Sequence, residues 1–254
     1  EEYPSIYKYQ SSNQVIREAL EHYGESGAGM VQSLKLEKKK MEVIGVYSPV
    51  GRTMKTTFAL TLGQILAKKR ACLYLNLEAY SGFEYLMERK FEQTLGDLLY
   101  YLRLGSDQLV TKMGSMVQSI NNLDYLPPVL SMEDIQSTAA EEWIRLLQQI
   151  IDYSNYDVII LDLGDSVSQL YQILEQCTRI YMPIRADPVS QAKIQQFEHT
   201  LQVWEKQAVL DRIRKIKPPY HRSTRSGTGY MDDLVWSELG DYVREMIRKE
   251  WEDG

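Results

Sequence analysis

A chain of 254 residues is long enough to bury a full core, and one large α/β domain with a short appendage suits that length. A net charge of −6 argues against a protein that coats nucleic acid with its whole surface, and no apolar run is long enough to span a bilayer or reads as a secretory signal. Cys72 and Cys177 both lie in apolar stretches and read as buried, reduced thiols.

The opening Glu1-Glu2-Tyr3 has no initiator Met, so residues 1–40 are expected to be a connector that follows an upstream domain. Tyr7, Val15, Ile16, Ala19, Leu20 and Tyr23 fall at helical spacing within it and predict an amphipathic helix. From Met41 onward strands and helices alternate, the pattern of a mainly parallel sheet with helices on both faces. Val43 to Tyr47 is the first strand, and a loop and a helix from Thr56 to Lys69 follow it. Cys72 to Leu75 is apolar throughout, as a strand buried on both faces should be. Helical segments fill Phe83 to Gln118, and Leu123 to Leu126 is a short strand stopped by Pro127 and Pro128. Thr138-x-x-Glu141 reads as a capping box opening a helix that runs to about Tyr153. Val158 to Leu161 and Arg179 to Pro183 are further strands, the second followed by a helix from Pro188 to Lys206. A basic strand is expected at Ile213 to Ile216, then a polar loop through Gly229, then a last helix from Glu238 to Trp251.

The chemistry gathers after the first strand. A phosphate-binding loop needs a strand, a tight turn of inward N–H groups, and a helix whose N-terminus faces the anion. A Lys must also reach the terminal phosphates, and a Ser or Thr hydroxyl must take magnesium. The run Ser48-Pro49-Val50-Gly51-Arg52-Thr53-Met54-Lys55-Thr56-Thr57 supplies these parts in order, although Pro49 and Met54 stand where the usual glycines belong. An ordinary strand-loop-helix with a solvated Lys is the bland alternative. Two neighbouring strand ends support the phosphate reading: one closes on Asn76-Leu77-Glu78, the other on Asp162-Leu163-Gly164-Asp165. An acid at the end of a buried strand beside such a loop is where magnesium's hydration shell is held, and ligands of open α/β sheets gather at the carboxyl ends of the strands.

On these residues the stretch from Val43 to Gly82 resembles the ParA/MinD group of deviant Walker A ATPases, whose loop reads roughly Lys-Gly-Gly-Val-Gly-Lys-Thr-Thr. Gly51, Lys55, Thr56 and Thr57 match that pattern, whereas Val50, Arg52, Thr53 and Met54 do not. Asn76-Leu77-Glu78 falls on the family's Asp-x-Asp and Asp162-Leu163-Gly164 on its Asp-x-Pro. The run from Arg179 to Ser190 is similar to its strand-to-helix passage, so the resemblance extends from Met41 to about Thr200. It implies a SIMIBI-type P-loop fold that binds ATP and Mg2+. Phosphates would be held by Gly51, Arg52, Thr53, Met54, Lys55, Thr56 and Thr57. Thr56 would ligate the metal, Asp162 would support its waters, and Glu78 would orient the attacking water. A homodimer is implied as well, with Arg52 and Arg185 near the partner. The degraded loop and the expected upstream domain look most like the TadZ/CpaE branch, in which a receiver-like domain precedes the ATPase. That branch implies a cytoplasmic factor, at a pole or peripheral to the inner membrane through its partners, for pilus or secretion-apparatus assembly.

The resemblance leaves three readings open: a working ATPase cycling on a surface, a holder of ATP with slow hydrolysis, and a nucleotide-free scaffold. Arg212, Arg214, Lys215, Lys217, His221, Arg222 and Arg225 form a basic cluster, read as a solvated edge in preference to a site for DNA, phosphate or an acidic partner. In the final helix Trp236, Leu239, Val243, Met246, Ile247 and Trp251 share a face. The acids around Trp251 repel anionic lipid, so that face is expected to pack on the body of the protein and not to insert in a membrane.

Overall fold

The computed structural model describes residues 41–105 and 109–252. The connector and its amphipathic helix, expected within residues 1–40, lie outside the described residues.

Seven strands form one sheet in the order β3-β4-β2-β5-β1-β6-β7. They are β1 (Glu42–Val46), β2 (Cys72–Leu77), β3 (Gln118–Ile120), β4 (Leu123–Tyr125), β5 (Val158–Leu163), β6 (Arg179–Pro183) and β7 (Ile213–Ile216). Every pairing is parallel except the β3–β4 hairpin. The hairpin corrects the expectation of helix up to Gln118. Its turn residues Asn121 and Asn122 both have positive φ, which Asn tolerates better than most residues, and that chemistry closes a two-residue hairpin.

Period-two alternation sorts the strands onto two cores. Leu73, Leu75 and Leu77 of β2, with Ile159, Leu161 and Leu163 of β5, face one core. That side is covered by α3 (Leu95–Arg103), α4 (Leu109–Met116), α6 (Ala140–Tyr153), α7 (Leu170–Gln176), α8 (Pro188–Val203) and α9 (Gln207–Arg212). Cys72 and Tyr74, with Val158 and Ile160, face the other, formed with α1 (Lys55–Leu66), α2 (Phe83–Leu86), α10 (Gly227–Val235) and α11 (Glu238–Ile247). A short helix α5 (Met132–Ser137) precedes α6. Because α1 is buried along most of its length, its Gly63 matters: a Cβ there would come within 2.8 Å of Leu123, so glycine lets the helix settle on the sheet.

Three local expectations shift. The capping signal before α6 sits one residue later than Thr138-x-x-Glu141. Glu142 accepts from the Ala139 N–H, while the Thr138 hydroxyl donates to the Asp134 carbonyl at the end of α5. Ala139 has no side-chain acceptor, so only half of the box exists. A helix begins at Gly227, inside the polar loop expected through Gly229, and runs to Val235. Trp236 follows that helix and is 79% exposed, off the buried face of α11, whereas Leu239 and Val243 are buried. The face does pack inward: Trp251 lies in the single π-turn at 248–252, with the Arg179 guanidinium 4.8 Å from its ring and Arg70 5.9 Å away. No helix among the described residues is long and apolar enough to cross a membrane.

The basic cluster is dispersed by its own contacts. Arg212 donates to the carbonyls of Glu175 and Cys177, Lys215 pairs with Glu198, and Arg225 pairs with Asp233. Arg222 lies over the Tyr220 ring. Both cysteines are free and buried, and burial pushes each thiol up to about 12, the behaviour of inert core thiols.

Candidate functional site

The carboxyl ends of β1, β2 and β5, three adjacent strands, bring the predicted residues to one edge of the sheet. The loop from Ser48 to Met54 leaves β1 and is braced internally. Ser48 Oγ accepts from the Val50 N–H at 3.2 Å, and Thr53 Oγ1 donates to the Val50 carbonyl at 3.2 Å. Val50 is buried in the core opposite α1, and Arg52 is exposed. Two residues adopt left-handed backbone: Arg52 at φ 57° and Met54 at φ 66°, ψ 32°. At Met54 this conformation aims the chain into α1, and a side chain held there costs roughly 1–2 kcal/mol that glycine would not.

Helix α1 begins at Lys55 with no side-chain cap and no acid in its first turn. Its first N–H groups are thus left to face an anion, reinforced by the helix dipole. Lys55 Nζ donates to the Leu163 carbonyl at 3.1 Å and pairs with Glu78 Oε1 at 2.9 Å. It also lies 5.6 Å from the centre of the Tyr47 ring, whose hydroxyl donates to Asp165 at 3.0 Å. Glu78 is therefore engaged with the loop lysine. Thr57 is different: its hydroxyl lies 3.4 Å from that of Tyr230 on α10.

Asp162 is fully buried at the end of β5, directly opposite Asn76 in the β2–β5 register. Its Oδ2 accepts from the Tyr74 hydroxyl at 2.9 Å and from Asn76 Nδ2 at 3.2 Å. Its Oδ1 is buried with no hydrogen-bond partner among the described residues. Burial pushes this carboxyl up to about 6, against the pull of the Thr56 and Tyr74 hydroxyls towards the anion. An uncapped helix N-terminus, a lysine at its first position and a buried, unsatisfied carboxylate oxygen fit a polyphosphate carrying a divalent cation. Among the described residues no group of three or more His, Cys, Asp or Glu forms a direct metal cage, so the cation would lean on phosphate and water oxygens.

Gly164 allows this edge to close. A Cβ there would come within 2.8 Å of Glu78 Oε2, 3.0 Å of Glu78 Cα and 3.1 Å of the Leu77 carbonyl. The Asp162-Leu163-Gly164 run is evident in the sequence, whereas the part of Tyr74 is not. Its signal was a polar-tipped aromatic two residues before Asn76, on the same face of β2. Asp187, in the passage after β6, caps α8: its side chain accepts from the Ser190 N–H and hydroxyl, which hold its carboxyl down at about 2. Arg185 pairs with Asp187 at 3.2 Å and is exposed, as Arg52 is, at the same end of the sheet.

No protein-family model matches the chain, and no curated protein matches it in sequence. Solved structures do resemble it. A ParA family ATPase from Chlorobium tepidum TLS superposes with a TM-score of 0.59 at 21% identity, covering 77% of this chain and 80% of that one. Cobyrinic acid a,c-diamide synthase from Mycobacterium smegmatis, with a bound ATP analogue and magnesium, gives 0.58 at 15% identity over 84% of this chain and 96% of that one. The MinC:MinD cell division complex of Aquifex aeolicus gives 0.52 at 16% identity, covering 76% of each chain. At such identities the likeness speaks for architecture, and it agrees with the sheet order and the strand-loop-helix at β1. The chain has the mainly parallel, helix-covered α/β fold of SIMIBI-type P-loop proteins.

Proposed function

We propose that this chain binds ATP with Mg2+ and works as a nucleotide-dependent dimeric positioning or assembly factor that hydrolyses ATP slowly. The observation that carries the reading is the uncapped start of α1 with Lys55 at its first position, beside the buried, unpartnered Oδ1 of Asp162. Lys55 and the backbone N–H groups from Gly51 through Arg52, Thr53 and Met54 to Thr56 would hold the phosphates, with Thr57 contributing through its backbone. Thr56 would offer its hydroxyl to magnesium, and Asp162 would take hydrogen bonds from the metal's waters. The bound metal would neutralise charge on the phosphates. Glu78 is the residue for orienting water, once Lys55 has turned to the nucleotide.

Slow hydrolysis is supported by three features. Val50 is packed in the core where the resembled family carries its signature lysine, so no ammonium from that position can reach a partner's nucleotide. Arg52 is exposed nearby, but its planar fork does not replace an ammonium in a fixed pocket. Glu78 is one methylene longer than an aspartate, and misplacement by ~1 Å costs on the order of 100-fold. A homodimer with facing nucleotide edges suits the exposed Arg52 and Arg185 at that end of the sheet. Service to a pilus or secretion apparatus, in the cytoplasm at a pole or beside the inner membrane through partners, rests on the resemblance to the TadZ/CpaE branch.

A nucleotide-free scaffold is the second reading. It is favoured by the Lys55–Glu78 pair, which already neutralises the lysine. Titration calorimetry of ATP and magnesium into wild type and Lys55→Ala separates the two. Loss of most of the affinity in the variant supports the first reading, and equal affinities or no binding to wild type overturn it. Light scattering with saturating ATP and magnesium tests the dimer, which a monomer at high micromolar concentration refutes. Phosphate release above roughly 1 per second, the low end of ordinary enzymes, refutes slow hydrolysis.

A further inference from the structure

We infer that Tyr74 and Asn76 are positioning residues for the magnesium site, clamping one oxygen of Asp162 so that the other stays free for the metal's water shell. The inference rests on the ATP-binding reading above and deepens it.

The placement begins with strand periodicity. Tyr74 and Asn76 lie two apart on β2 and so share a face, the same face that Asp162 shares with Ile160 and Val158 on β5. That face is covered by α1, the helix that carries Lys55 and Thr56. In the register Asn76 stands opposite Asp162, which puts amide and carboxylate side by side at the carboxyl edge.

The hydrogen bonds then admit one arrangement. Asn76 Oδ1 accepts from the Glu78 N–H at 2.9 Å, so the amide oxygen is committed to the chain that carries Glu78. Its Nδ2 must therefore face the other way, where it meets Tyr74 Oη at 2.9 Å and Asp162 Oδ2 at 3.2 Å. Flipping the amide would set its oxygen against the Asp162 carboxylate and its NH2 against the Glu78 N–H, an acceptor facing an acceptor and a donor facing a donor. With Asn76 donating to it, the Tyr74 hydroxyl spends its own proton on Asp162 Oδ2 at 2.9 Å. Both donors converge on Oδ2, and Oδ1 is left buried without a hydrogen bond, on a carboxyl whose anion the Thr56 hydroxyl also favours.

Tyr74 itself has no freedom to do otherwise. It is wholly buried, and its ring stacks on Phe83 at 5.9 Å, next to Gly82 in the segment that follows Glu78. A polar trio inside an apolar strand pair is an expensive way to hold a sheet together, since apolar side chains of similar volume serve packing as well or better. Its one unsatisfied atom lies at the strand end beside the first turn of α1. A network whose remainder points at a cation site has the logic of the outer partners that orient metal-binding groups, where loss of one partner typically lowers metal affinity 10–100-fold.

The test is ATP affinity by titration calorimetry in millimolar Mg2+ and again in EDTA, for wild type and Tyr74→Phe. The variant keeps the ring and removes the hydroxyl. The expected result is a loss of about tenfold or more in the Mg2+-dependent gain in affinity, with affinity in EDTA unchanged within about twofold. A purely structural role would lower both affinities together or neither. Either of those results overturns the inference. If Tyr74→Phe does not fold, Asn76→Ser is measured in the same way, with the same expectation and the same refutation. Failure of wild type to bind ATP in either buffer overturns the functional reading itself and this inference with it. Magnesium-enhanced binding that survives intact in the variant overturns the inference alone.

Discussion

The pair between Lys55 and Glu78 sets a competition that can be measured through Glu78→Gln. Lys55 Nζ is held by Glu78 Oε1 at 2.9 Å and by the Leu163 carbonyl at 3.1 Å. The two side chains are 12% and 26% exposed, so the pair is neither deeply buried nor fully solvated. At an effective dielectric near 20, charges this close attract by roughly 6 kcal/mol before any offset. Desolvation, side-chain entropy and the hydrogen bond that glutamine would still make remove most of that. Exposed pairs retain about 0.2–1 kcal/mol, and this one belongs near the upper end of that range. A phosphate must displace Glu78 to reach the lysine, so neutralising Glu78 should return about 1 kcal/mol to binding, or about fivefold in affinity. The gain should shrink at high salt, because screening weakens the pair that is lost. It should be larger for ATP than for ADP, because the lysine of such a loop reaches the terminal phosphates. The assay is calorimetry of both nucleotides with Mg2+ at low and high ionic strength. An unchanged or weaker ATP affinity in Glu78→Gln would refute the reasoning and would place the Glu78 carboxylate among the groups that help to hold bound nucleotide.

Gly164→Ala should destabilise the fold by about 2 kcal/mol in urea unfolding, because its Cβ would meet Glu78 Cα and the Leu77 carbonyl, backbone atoms that cannot step aside; a change below about 0.5 kcal/mol would refute this. The raised Asp162 carboxyl gives stability that is fully present below about pH 4 and lost as pH rises through about 6. Relative to Asp162→Asn, wild type in EDTA should therefore lose about 3 kcal/mol between pH 4 and pH 7, and a difference that stays flat with pH would sink the argument. Met54→Gly should leave stability within about 1 kcal/mol, relief of the left-handed strain offsetting lost packing, whereas Met54→Val should cost about 2 kcal/mol or more. Equal urea midpoints for the two Met54 variants would show that the φ of 66° is not what constrains the position.

The strands were legible wherever burial on both faces made them apolar, as in β2 and β5, and the order of strand, loop, Lys55 and helix pointed to the candidate site. What the sequence hid was set by partners distant in the chain. Nothing local to Gln118–Ile120 marks a strand, because its pairing is supplied by β4 across two asparagines. Thr138 and Glu141 satisfy a capping pattern, but Arg103 and Asp134 claim the threonine and the helix starts one residue on. Gly227-Thr228-Gly229 has turn composition, yet the segment is helical because Met231 and Leu234 bury in the core that α1 shares. Glu78 could be named as an acid near the loop, whereas its engagement with Lys55 could not, since that depends on how closely β2 and β5 approach at Gly164.

The departures from the resembled loop share a physical direction. At Met54 the left-handed backbone persists although the glycine is gone, so the shape of the cradle is held by its surroundings. These include the bonds of Ser48 and Thr53 within the loop and the docking of α1 on the sheet. At Val50 a position that could present charge to a second molecule faces inward, and burying that side chain contributes about 1.5–3 kcal/mol to the fold of its own chain. Groups that act in the ground state, namely backbone N–H groups, Lys55, Thr56 and Asp162, occupy places where they can serve a nucleotide. Groups that would stabilise charge developing during transfer are replaced or engaged elsewhere. Since catalysis needs interactions that strengthen only in the transition state, a loop altered in this way can retain a ligand while giving up rate. A protein whose task is to change partners when ATP is present needs the first property and is served by the loss of the second, because slow turnover prolongs the bound state.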